Sequence, residues 1–375
     1  MIKNLKNKIR FNLKNIPGWK CNRKIVVFES DDWGSNRIAS KAHFENLQKA
    51  GFPVHKSAYN RFDTIERSED LEELFNVLTS VKDKNGRNAV FTPFLNVANP
   101  DYDKIRKDNF ESYHYETFYE TLERYGEKNA VKELYSQGIS KGIFQPEFHG
   151  REHISIPLWM RLLREGNEKV LSAFEHQFTS VSVEGLDPLL SGFRPTFYFE
   201  SPEDLTFLKN SIKEGTGLFE ELIGYKAGVF DPPNGIFHEE LENDINEAGI
   251  KTIVVNRFRM EPNGTGGFNK KYFSFGSENE YGQTYYIRNC QFEPYDGRSE
   301  DHCLMMMQAA FNWKKPAIIC SHRVNFNGGI DPENRKKGLL KLKNLLSKML
   351  NRWPDIEFMS SGEFASVLKE SQTDR

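Results

Sequence analysis

Residues 24–34 read KIVVFESDDWG: a short apolar run, then two adjacent carboxylates, a tryptophan and a glycine. A run of four to eight β-branched and aromatic residues, bounded by polar and small residues, reads as a strand buried on both faces. The same pattern recurs along the chain. Residues 89–95 (AVFTPFL), 143–148 (IFQPEF), 227–230, 252–255 (TIVV), 317–320 (AIIC) and 356–359 (IEFM) each end in polar or small residues. Weaker runs lie at 178–183 and 192–193. Between them, residues 70–80, 238–248 and 334–351 carry apolar side chains at three- and four-residue spacing, which predicts helices. Strands alternating with helices imply a mainly parallel sheet. Seven or eight such units favour a distorted (β/α) barrel over an open sheet.

Two stretches break the rhythm. Residues 99–141 are polar, aromatic and helical in pattern. Residues 258–302 are rich in Gly, Asn and Tyr. Both read as insertions on the loop side of the barrel, where active-site walls are made. The expected organisation is a basic arm at 1–20 and one barrel domain at 21–375.

Bulk properties narrow the function. The chain has 375 residues, 38% of them hydrophobic, enough for a large core. Its formal charge of −2 provides no global positive field to hold nucleic acid. Cys21, Cys290, Cys303 and Cys320 are widely separated and form no C-x-x-C pair, so free thiols in a reducing compartment are expected. The N-terminal arm is basic and weakly amphipathic and has no apolar run of signal-peptide length. It reads as a solvated arm, with a membrane-surface helix as the alternative. No stretch is long and apolar enough to span a bilayer. A cytoplasmic protein without a transmembrane segment is therefore expected.

Several polar residues sit where apolar runs end: Asp31 and Asp32, His149 with His153, Arg194, the Asp231-Pro232-Pro233-Asn234-Gly235 turn, and His322. In a β/α barrel the C-terminal strand ends converge on one face, so these distant residues would meet. His149-Gly-Arg-Glu-His153 places two imidazoles four residues apart, on one face if that segment is helical. Two adjacent acids can divide the work, one binding a cation and the other taking a proton from water. His322 would then be the general acid. Trp33, Asp231 and Pro233 are the candidate substrate contacts, and Tyr198 and Tyr285 are further aromatic candidates for stacking on a sugar; for the three aromatics, plain packing is the reading that competes with sugar contact.

These residues resemble the motifs of the polysaccharide deacetylases. That family's T-F-D-D-G is similar to Glu29-Ser30-Asp31-Asp32-Trp33-Gly34. Its H-[ST]-x-x-H is matched by His149 and His153, with Gly150 in place of Ser or Thr. Its F-R-P-P-Y resembles Phe193-Arg194-Pro195-Thr196-Phe197, and its final L-x-H resembles Cys320-Ser321-His322. The motif order is kept over about residues 24–325. The resemblance implies Asp31 as catalytic base, Asp32, His149 and His153 as metal ligands, Arg194 orienting the base and His322 as acid. It implies one divalent ion, most simply Zn2+, with Co2+, Ni2+ or Mn2+ as alternatives, and removal of N- or O-linked acetyl groups from a carbohydrate. Two other readings stand beside it. One is a catalytically inactive barrel that binds glycan or metal. The other is a zinc protease of the H-x-x-E-H type with Glu152 as base.

Overall fold

The structure, a computed structural model, describes residues 2–373. Its organising strand is β1 (Lys24–Trp33), buried along its length apart from Lys24. Chain order then adds β2 (Phe91–Asn96), β3 (Glu147–Gly150), β4 (Val229–Phe230), β5 (Thr252–Val255), β6 (Thr284–Ile287), β7 (Cys290–Gln291), β8 (Ala317–His322) and β9 (Ile356–Met359). The sheet runs β6-β5-β4-β3-β2-β1-β8-β7, and β9 also pairs with β1. Every pairing in it is parallel. This is a mixed α/β fold with a curled parallel sheet, the distorted (β/α) barrel that the strand–helix alternation predicts.

The two ends of that strand order are covalent neighbours. Only Arg288 and Asn289 separate β6, which pairs with β5, from β7, which pairs with β8. Asn289 takes the place of the missing ladder. Its amide donates to the Pro316 carbonyl at 2.8 Å, and its Oδ1 accepts from the Ile318 N–H at 2.9 Å. Residues 284–291 were expected to belong to a loop-side insertion at 258–302. They are instead barrel strand. The run Thr-Tyr-Tyr-Ile is short and follows a Gly- and Asn-rich stretch, which hid its period. The remainder of that segment includes an antiparallel hairpin of Phe258–Pro262 with Phe268–Tyr272.

Other expectations also change. Residues 178–183 are not strand, and Pro188–Phe193 forms tight 3-10 turns. Residues 99–141 are largely helical as expected. Their last helix, Lys128–Ser140, buries Val131 and Tyr135 in the main core between β2 and β3, so it serves as a crossover helix rather than loop-side decoration. The N-terminal arm is a helix, Ile2–Asn15, packed on the helix Glu300–Asn312. Phe11 is buried with its ring edge-on to His302, while Ile9, Leu13 and Ile16 stay exposed. The four cysteines are free. No helix among the described residues is long and apolar enough to cross a membrane.

Parallel registry decides which side chains meet. Asp31 on β1 is opposite His322 on β8, and Phe148 on β3 is opposite Phe230 on β4, which brings His149 beside Asp231. The β1–β2 register slips between Ser30 and Trp33, and Asp32 there has φ of 73°. A bulge of this kind re-aims a side chain, here toward the strand ends.

Beneath the site lies a buried charge cluster. Arg323, 1% exposed, donates to Asp63 at 3.0 and 3.2 Å, to Glu66 at 2.7 Å and to the Ser35 carbonyl at 2.7 Å. Glu66 also accepts the Gly34 N–H and the Tyr135 hydroxyl. Arg323→Met would strand two buried carboxylates and should lower unfolding stability by roughly 3–5 kcal/mol. Chemical denaturation checks this; an unchanged midpoint and slope would contradict the role given to Arg323.

Candidate active site

The strand ends β1, β3 and β8 open into a cleft of about 480 Å3 lined by Asp31, Asp32, His149, His153 and His322, with Arg194 on its wall. Asp32 Oδ1 is 3.1 Å from His153 Nε2 and 3.9 Å from His149 Nε2. Donor atoms of these three residues all lie within 4.8 Å of one another. A carboxylate oxygen and an imidazole nitrogen bound to one zinc, at up to about 2.2 and 2.1 Å, can be at most about 4.3 Å apart, so both measured separations suit a shared ion.

The surroundings prepare these donors. His149 Nδ1–H donates to the Asp231 carbonyl at 2.6 Å, which leaves Nε2 as the free lone pair facing Asp32. Burial lowers the pKa of His149 to about 4, against the opposing pull of Asp31, so its ring is neutral at pH 7. Burial pushes Asp32 upward, but His153 and Arg37 outweigh it and hold the carboxyl well below its ordinary range. A neutral imidazole and an ionised carboxylate are the forms that bind a cation. The positive φ of Asp32 is costly for a non-glycine residue, and such strain is typical of functional positions.

Two other clusters of metal-ligand type occur among the described residues: Asp31–His149–Asp231 and Glu293–Cys320–His322. The first is already compensated by Arg288, and its His149 Nδ1 is used by the Asp231 carbonyl. In the second, Glu293 and His322 are bonded to each other at 2.6 Å, and burial raises the Cys320 thiol well above its ordinary range. Asp32–His149–His153 is therefore the group that best fits an ion.

Asp31 is gripped by Arg288, whose two terminal nitrogens donate to its two oxygens, each at 2.7 Å. Arg288 Nε also donates to Glu29 at 2.6 Å, and its Nη2 lies 3.3 Å from Asp231. Burial works to raise Asp31, but Arg288 and then His322 win, so it stays ionised below the usual carboxylate range. His322 Nε2 is 3.7 Å from Asp31, and its Nδ1 is bonded to Glu293 at 2.6 Å. Burial would lower His322; Glu293 and Asp31 override it and raise the ring to about 10. A carboxylate base and a protonated imidazole thus stand side by side at neutral pH.

The structure corrects several assignments. Arg194 makes no ion pair with Asp31; the guanidinium that orients that carboxylate is Arg288. Arg288 and Glu293 both lie inside the segment read as an insertion, and the sequence singles out neither. The strand Tyr-Tyr-Ile ending at Arg288 was the available signal. Trp33 is fully buried, donates to Ser30 Oγ at 2.9 Å and packs edge-on against Phe91 and Phe144, so it contacts core and not substrate. Tyr198 and Tyr285 are likewise buried. Pro233 is buried behind the turn while Asn234 and Gly235 line the cleft. Asp231 does line it, but its carbonyl holds His149.

His149 ends a strand and His153 sits in the loop after it, so no helix presents the pair. Gly150 has φ of 149°, and a Cβ there would stand 3.1 Å from the Glu152 carbonyl. Its place is set by backbone, not by a lost hydroxyl. Glu152 is 1% exposed and bonded by Arg151 at 2.6 Å, away from the ligand cluster. These facts remove the H-x-x-E-H protease reading, which needs both histidines and the glutamate on one helix.

No protein-family model matches the chain, and no curated protein matches it. Solved structures do resemble it, several polysaccharide and peptidoglycan deacetylases among them. One is a 4-alpha-glucanotransferase from Thermococcus litoralis at 13% identity and TM-score 0.43, covering 92% of this chain and only 40% of that one. Another is a peptidoglycan deacetylase from Bacillus subtilis at 9% identity and TM-score 0.39, covering 94% of each chain. A third is a family 4 carbohydrate esterase from Streptomyces lividans in complex with acetate, at 10% identity and TM-score 0.37, covering 90% of this chain and 92% of that one. At such scores the chemistry must be read from the site itself.

The Glu293–His322 pair generates a pH prediction. Any activity needing protonated His322 falls as pH rises through its raised pKa. Glu293→Gln removes the chief raising influence. The alkaline limb of kcat/KM should therefore move to lower pH. An unmoved limb would show that another group sets it.

Proposed function

We propose that this protein is a metal-dependent hydrolase that removes N- or O-linked acetyl groups from a carbohydrate. The observation that carries the reading is the convergence of Asp32, His149 and His153 on one point beside an ionised Asp31 and a protonated His322. Asp32, His149 and His153 would hold the ion, and zinc suits their one carboxylate and two imidazoles. A bound divalent ion supplies Lewis acidity, lowering the pKa of water and polarising a carbonyl.

The chain's own groups divide the rest of the work. Asp31 accepts the proton of the attacking water. Arg288 keeps that carboxylate aimed and ionised before the reaction, and its bidentate grip restrains rotation about the carboxyl. His322 donates its proton to the departing amine or alkoxide, and Glu293 holds the ring in place through Nδ1. Base and acid are 3.7 Å apart, so both can reach one acyl carbon and its leaving group. The same reading puts the substrate among acetylated sugars.

Acetate release from acetylated oligosaccharides tests the proposal. Asp32→Ala and His153→Ala should lose both metal, by elemental analysis, and activity. His322→Ala should keep the metal and lose about 10²- to 10⁴-fold in turnover. Full metal content in the first two variants would contradict the ligand set. Absence of acetate release by metal-loaded wild-type protein would instead support the inactive binding barrel.

A further inference from the structure

Arg194 is not needed to orient Asp31, yet the chain goes to lengths to present it. It follows Gly192 and Phe193, with φ of 71° and 55°. A left-handed backbone is rare for a bulky residue, and Phe193 is fully buried. The arginine so presented lines the cleft beside His153 and Asp32, and also a smaller adjoining pocket shared with Ser180 and Arg37. Its Nε is buried with no hydrogen-bond partner, and among the described residues its side chain makes only a long 3.5 Å contact from Nη2 to Ser180 Oγ. It makes no ion pair with a carboxylate among the described residues.

Arg37 stands with it. Both guanidiniums lie over Tyr59, 5.0 and 5.9 Å from the ring centre, and Tyr59 in turn packs edge-on against His322. Arg37 has only long ion pairs, 3.5 Å to Asp32 and 3.4 Å to Asp63, and its Nε also lacks a hydrogen-bond partner. Burial and the neighbouring Arg37 both lower the pKa of Arg194. Every other buried arginine around the site is tied to carboxylates at close range: Arg288 to Glu29 and Asp31, Arg323 to Asp63 and Glu66. Beyond the long contacts of Arg37 to Asp32 and Asp63, the two neighbouring cations keep donor capacity that a further anion would use.

We propose that Arg37 and Arg194 form an anion subsite that binds a carboxylate or phosphate group carried by the acetylated sugar. The substrate class is thereby an acidic sugar, a uronate or a sugar phosphate, rather than a neutral glycan. This deepens the hydrolase reading and rests on it. The planar guanidiniums suit the paired oxygens of either group.

Calorimetric titration of the metal-loaded full chain tests it, with inorganic phosphate, D-glucuronate and neutral glucose as probes at constant ionic strength. At least one anion should bind, glucose should not, and the tighter anion identifies the source. Arg194→Gln should weaken that binding about 10- to 100-fold with metal content unchanged. Arg194→Lys should restore part of it. Arg37→Gln provides a second loss should the first variant fold poorly. Anion binding absent from the wild type, or equal in wild type and Arg194→Gln, would overturn the subsite; the second result would put the anion on the metal. Because binding is read without turnover, Arg194-dependent binding by a chain that releases no acetate would sink the hydrolase reading alone.

Discussion

Everything at the top of this barrel depends on how buried negative charge is balanced. Glu29, Asp31, Asp32, Asp231 and Glu293 are all nearly inaccessible and close together. Carboxylates in such a place either take protons or find cations. Arg288 meets three of them, Glu29, Asp31 and Asp231, while His322 serves Glu293. Asp32 is left with two imidazoles and a distant Arg37. The protein compensates every acid of the group except the one it strains into the cleft. That residual charge, facing two histidine nitrogens, is the reason to place a cation there.

The barrel makes this balance attainable. Parallel registry lines up Asp31 with His322 and His149 with Asp231, so acids from one strand face bases from the next. Arg288 and Asn289 join the two end strands of the curled sheet, and Arg288 also neutralises the acids at the strand ends. Asn289 supplies the substitute hydrogen bonds that permit the kink. The strand connection and the site electrostatics thus share one residue. Beneath it, Arg323 ties the loop after β1 to the residue following His322, which keeps Asp32 and His322 in fixed relation.

Much of this was legible in the sequence. An apolar run that stops abruptly at a charged residue marks both a buried strand and its exit, and Asp31, Asp32, His149 and His322 all stand at such exits. Their meeting follows from barrel geometry alone. What escaped had weaker local signals. Arg288 follows a four-residue strand inside a polar segment, so no periodicity announced it. Glu293 is a loop acid whose partner is known only from the fold. Trp33 sits beyond a bulge that re-aims the side chains, and of its two readings, sugar contact and core packing, the structure shows the packing. Arg194 was singled out as the residue that orients Asp31, and its neighbours in sequence could not show that Arg288 makes that contact instead.

Anomalous X-ray scattering from a crystal of the metal-loaded protein tests the central claim most directly. The account predicts one strong peak within bonding distance of Asp32 Oδ1, His149 Nε2 and His153 Nε2, with Arg288 still clasping Asp31. A peak beside Asp231 or between Glu293 and Cys320, or none at all, would contradict it.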